Sequence, residues 1–199
     1  MNLVTQYKSP STETQLDDGQ QVDAKSALKA IVSGSFNPVH RGHLEMAQLA
    51  SELLFDGEQK FAFELSQLNA EKPALTEEEL SLRVAQDFRQ HDLVITRAAT
   101  FAEKARLTED AWFAVGADTI LRVDDVTFYR DAEHRRNELK MIGDRGCRFL
   151  VFGRRIQGKF LAGKELQLST ELSQICKFVS AEEFSKDISS TMLRDQGDR

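Results

Sequence analysis

Gly34-Ser35-Phe36-Asn37-Pro38-Val39-His40-Arg41-Gly42-His43 is the stretch on which the reading of this chain turns. An apolar run from Leu28 to Val32 leads into it. After it, Leu44, Ala47, Leu49, Ala50, Leu53 and Leu54 fall roughly on one helical face. The stretch therefore sits on a turn between a strand and a helix. Gly34 permits a tight turn and lets the backbone approach a ligand with no Cβ in the way. Pro38 fixes one dihedral of the loop. His40 and His43 stand beside the predicted helix start, where free N–H groups and the positive dipole end favour an anion. Two imidazoles at that spot point to phosphate.

The chain has 199 residues, 41% of them hydrophobic, enough for one sizeable core. Its net charge of −6 argues against a non-specific nucleic-acid binder, so a phosphate site must be a local basic cluster in an acidic protein. Cys147 and Cys176 each open a predicted strand and read as small core residues, because no metal-ligand spacing surrounds them. No signal peptide and no apolar run near the ~20 residues of a membrane span is present. A soluble cytoplasmic protein with no membrane and no nucleic-acid partner is the default expectation; oligomerisation is left open.

Taken in order, residues 1–26 are polar and read as a flexible arm, with an element laid on the domain as the alternative. Residues 27–199 form the domain. Strands are expected at 28–33, 60–65, 92–96, 111–115, 148–152 and 177–179. Helices are expected at about 42–54, from Thr76 to about Gln90, at 101–107 and at 131–143, with a last one starting near Ile188. Thr76 and Glu79 make a capping box. Residues 156–168 read as a loop. Short apolar strands alternating with helices mean an α/β fold, a Rossmann-like parallel sheet flanked by helices in a single domain. Ligands on such sheets bind at the carboxyl ends of the strands, near the point where strand order reverses. The polar clusters at 34–43, 69–73, 116–119, 153–155 and 188–194 all follow strands, which points to one shared site.

A second motif closes the chain: Ile188-Ser189-Ser190-Thr191-Met192-Leu193-Arg194. Ser and Thr at a helix start serve as caps. Arg194, three residues after Thr191, can share a face with the first turn, so hydroxyls, N–H groups and a guanidinium converge on one anion. The first stretch resembles the HxGH signature of the nucleotidylyltransferase superfamily, and the second resembles that family's ISSTxxR motif. The Gly-Ser-Phe-x-Pro-x-His form is most similar to nicotinamide and nicotinate mononucleotide adenylyltransferases.

The resemblance implies catalytic roles for His40, His43 and Arg194. It implies nucleotide contacts from Gly34, Ser35, Phe36, Gly116, Asp118, Arg154, Ile188, Ser189, Ser190 and Thr191, with Asp118 within reach of a ribose hydroxyl. Acceptor contacts fall to Asn69 and Lys72, in Asn69-Ala70-Glu71-Lys72-Pro73, and to Phe101, which stands where the family often places a stacking Trp. No protein metal ligand is expected; Mg²⁺ arrives with ATP. The implied reaction joins ATP to a small phosphate-bearing acceptor and expels pyrophosphate. The attacking phosphate is already ionised, so cationic and N–H donors suffice and no strong base is needed. Alternatives are a pantetheine-phosphate or CTP-dependent transferase, or a nucleotide-binding sensor without catalysis.

Overall fold

The computed structural model describes residues 3–7, 19–58, 61–69, 73–89, 91–156, 159–180 and 182–184. Its strands are β1 (Leu3–Tyr7), β2 (Gln20–Asp23), β3 (Ala30–Ser33), β4 (Ala62–Ser66), β5 (Leu93–Thr96), β6 (Trp112–Gly116), β7 (Arg148–Phe152), β8 (Arg154–Ile156), β9 (Lys159–Leu161) and β10 (Cys176–Phe178). Its helices are α1 (Ala24–Ala27), α2 (Arg41–Phe55), α3 (Glu77–Val84), α4 (Phe101–Leu107), α5 (Ala117–Asp124), α6 (Ala132–Asp144) and α7 (Thr170–Ser173).

Eight strands form one sheet in the order β10-β7-β6-β3-β4-β5-β1-β2. From β10 to β5 every neighbouring pair is parallel. The expected Rossmann-like α/β sheet is the observed one. Chain progression runs one way through β3, β4 and β5 and the other way through β6, β7 and β10, so strand order reverses between β3 and β6. That crevice is where a doubly wound sheet receives ligands.

Alternation along each strand builds two cores. Ile31, Phe113, Val115, Phe149 and Val151 face the layer that holds α4, α5 and α6. Ala30, Val32, Phe63, Leu65, Ala114, Leu150 and Phe152 face the layer that holds α2. Strands buried on both faces lose polar positions, which is why they read as apolar runs rather than as alternating patterns.

The structure departs from the sequence reading in four places. Residues 3–7 and 19–27 are not a flexible arm. They form strands β1 and β2 and the turn of helix α1, with β1 antiparallel to β5 in the register Thr5↔Ile95. Backbone pairing at a sheet edge tolerates polar side chains, so the hydrophobic pattern is silent there. Residues 117–124, for which no helix was expected, form α5, with Ala117, Ile120 and Val123 buried. The segment read as a loop carries the antiparallel hairpin of β8 and β9 and a 3-10 turn over Gly163–Leu166. Helix α3 ends at Val84, short of Gln90, and buries none of its residues. The helix expected from Ile188 lies outside the described residues. Both cysteines are free, and burial pushes the Cys176 thiol up to about 12.

Candidate active site

The loop between β3 and α2 is built on one aromatic side chain. Phe36 takes a left-handed backbone, φ 42°, and its ring is fully buried. The ring meets His43 edge-on at 5.1 Å and also contacts Phe63 and Phe88 at 5.2 and 5.7 Å. A Cβ on Gly34 would lie 2.7 Å from this ring. The small residue is therefore needed to admit Phe36. Phe36 acts as a wedge beneath the site.

Helix α2 starts at Arg41, with His40 at its N-cap and His43 two residues into the helix. The two imidazoles stack, with centroids 3.7 Å apart and planes 23° from parallel. The His40 backbone N–H donates to Nδ1 of His43 at 3.3 Å. An Nδ1 that accepts leaves the proton of a neutral imidazole on Nε2, so Nε2 is the donor of His43. Nδ1 of His40 is shut off from solvent with no hydrogen bond. Burial lowers His43 to about 3, helped by the charges of His40 and Arg154. Burial also lowers His40 to about 4, helped by Arg154. Both rings are therefore neutral donors near neutral pH, and the permanent charge beside them is the guanidinium.

That guanidinium comes from the far side of the crevice. Nη1 of Arg154, at the start of β8, donates to Oδ1 of Asp118 at 2.7 Å. Asp118 lies in the first turn of α5, whose N-cap is Gly116. A Cβ on Gly116 would come within 2.8 Å of that same Oδ1, so the pair needs glycine there. Two helix starts, α2 and α5, thus open beside the point of strand reversal, and a helix N-terminus favours an anion.

Of the residues expected at the site, the structure brings His40, His43, Gly116, Asp118 and Arg154 together. Ser35 is exposed on the loop, and Asn69 is exposed beyond the carboxyl end of β4. Phe101, expected at the acceptor, opens α4. Its partly buried ring packs edge-on against Phe113 and Phe149 at 5.4 and 5.2 Å, against the core that α4 covers. Lys72, Ile188, Ser189, Ser190, Thr191 and Arg194 lie outside the described residues.

Two features escaped the sequence. Gln86 bonds the backbone of the histidine loop at Phe36 and Val39, and nothing in a lone glutamine after a helix signals this. A cavity of about 400 Å³ also opens near the carboxyl end of β5, between Gln67, Thr96, Arg97 and Glu103 on one side and Thr5 and Gln21 of the N-terminal hairpin on the other. Among the described residues no group of three or more His, Cys, Asp or Glu side chains could hold a metal ion. Among the described residues, no helix is long and apolar enough to cross a membrane.

A family profile described as cytidylyltransferase-like matches residues 31–196. No curated protein and no solved structure matches the chain.

Proposed function

We infer function from one premise: the chain belongs to the cytidylyltransferase-like family, which makes it a nucleotidyltransferase of Rossmann-like fold. We propose that it transfers the adenylyl group of ATP to the phosphate of nicotinamide or nicotinate mononucleotide, releasing pyrophosphate, as a cytoplasmic step of NAD biosynthesis. The observation that carries this reading is the stacked His40/His43 pair at the start of α2 beside the Arg154–Asp118 pair at the start of α5.

The chemistry needs little more. An oxygen of the acceptor phosphate attacks the α-phosphorus, the bond to the β-phosphate oxygen breaks, and pyrophosphate leaves with Mg²⁺. No proton has to be removed from an ionised acceptor, so the rate comes from alignment and from stabilising charge on the α-phosphate. A neutral His43 with its proton on Nε2 is suited to donate to a non-bridging α-oxygen. Arg154 supplies charge at the same place, and Asp118 fixes its direction. In this reading Arg194 and the hydroxyls of Ser189, Ser190 and Thr191 hold the pyrophosphate end. The cavity at the end of β5 offers Arg97 and Gln67 to the acceptor.

The family description also favours a second reading, in which CTP is the donor. One assay separates the readings: pyrophosphate release from MgATP and from MgCTP, across both pyridine mononucleotides and pantetheine phosphate. Turnover with ATP and a pyridine mononucleotide is expected. Turnover with CTP alone selects the second reading. Nucleotide binding without turnover on any acceptor leaves a sensor and overturns both.

A further inference from the structure

We propose that Gln86 is the positioning residue of the histidine loop, a role that rests on the reading of that loop as the catalytic one. Gln86 lies beyond the end of α3, outside any helix or strand. Its side-chain oxygen accepts the backbone N–H of Val39 at 2.6 Å, and its amide nitrogen donates to the carbonyl of Phe36 at 2.7 Å. The same nitrogen donates to the Arg83 carbonyl at 3.3 Å, which uses its second proton. The orientation of this amide is not arbitrary. A backbone N–H can only donate and a carbonyl can only accept, so one end must be oxygen and the other nitrogen.

The two loop contacts bracket the Asn37–Pro38 turn, and each lies one step from a group that orients His43. Phe36 holds its ring edge against His43. Val39 precedes His40, whose N–H binds Nδ1 of His43. Phe36 sits in a left-handed conformation that a β-carbon disfavours, so it needs outside restraint. The segment supplies a second restraint two residues on, where fully buried Phe88 packs edge-on against the Phe36 ring. One short stretch after α3 thus grips the loop by both its backbone and its ring. Without Gln86, the loop would lose two anchors while the rest of the sheet stayed intact.

The test compares the wild-type protein with Gln86→Met, which keeps length and removes the polar ends, and with the milder Gln86→Asn, which keeps an amide too short to span both contacts. Leu172→Ala, in the core on the opposite face of the sheet, is the control for general loss of stability. Nitrogen-15 shifts of the imidazoles report the tautomer, and steady-state kinetics report kcat and KM for MgATP. Gln86→Met is expected to convert His43 from a single Nε2–H tautomer to a mixture. It should also lower kcat by about tenfold to 100-fold, as a loss of alignment does, with KM changed by less than about threefold. Gln86→Asn should lie between and decides the matter if Gln86→Met does not fold. The control should lose thermal stability with tautomer unchanged. A His43 signal in both Gln86 variants identical to that of wild type would overturn the role, even if stability fell. Absence of turnover in the wild type would remove the enzymatic reading, and the tautomer comparison would still decide the positioning claim.

Discussion

At the scale of single residues, the site depends on two imidazoles that stay neutral. In the proposed mechanism His43→Ala removes the donor to the α-phosphate but leaves Arg154 and both helix starts. Turnover should fall by about 100-fold to 1,000-fold, the usual cost of one oxyanion donor. MgATP binding by calorimetry should survive, and near-normal turnover would remove His43 from the mechanism. The same rings set a pH dependence of stability. Their folded values, about 4 and about 3, lie below the ordinary 6.5 of histidine. As pH falls below 6.5 the unfolded chain takes up protons that the folded one refuses, so stability drops between 6.5 and the folded values. Unfolding across this window should absorb up to two protons, and His40→Gln/His43→Gln should flatten the slope; an unchanged slope would show that the rings are not shielded. The sequence singled out these histidines, Arg154, Gly116 and Asp118 by motif and position, and the fold gathers them at the strand reversal. It did not disclose how the rings of Phe36 and Phe101 pack, because the direction of an aromatic side chain depends on φ and on partners distant along the chain.

At the scale of elements, helices with an amphipathic stripe and strands buried on both faces were legible, and α4 is observed at the predicted residues. Helix α5 was not, because the glycine before it and its leading Ala117-Asp118 also fit a turn. Hidden in β4 is a charge the strand pattern cannot explain. Glu64 is fully buried and bonds Nζ of Lys104 on α4 at 2.8 and 3.0 Å, and it accepts from Thr96 at 2.5 Å. Its partner stands 40 positions on, beyond any local pattern. The pair ties β4, β5 and α4 together where the strands end, and the Glu64 carbonyl also accepts the Gly34 N–H that begins the histidine loop. Lys104→Met leaves a bare carboxylate in the core and should cost about 3–5 kcal/mol in denaturant unfolding. Glu64→Leu/Lys104→Met should recover much of that loss. If the double variant were as unstable as the single one, the network would be worth more as a unit than charge removal explains.

At the scale of the whole molecule, the N-terminal hairpin completes the sheet and encloses the cavity beside it. β1 covers the outer edge of β5, which would otherwise present unpaired N–H and C=O groups on an apolar strand. Thr5 and Gln21 then wall the cavity at the end of β5, while the histidine loop and the Arg154–Asp118 pair hang from β3, β6 and β8. Two strand spacings, about 10 Å, separate β3 from β5, so in the proposed reading donor and acceptor would bind at different parts of the same edge. Removing residues 1–23 should therefore have a divided effect. The thermal midpoint should fall and aggregation rise as the β5 edge is uncovered, yet MgATP should bind the folded fraction with little change. The KM for the acceptor should rise. Gln21→Ala and Arg97→Ala, which leave the edge covered, test the cavity without that confounding loss of stability. Each should raise the acceptor KM with the MgATP KM unaltered. An unchanged acceptor KM in both would assign the hairpin to edge protection alone and move acceptor recognition elsewhere on the crevice.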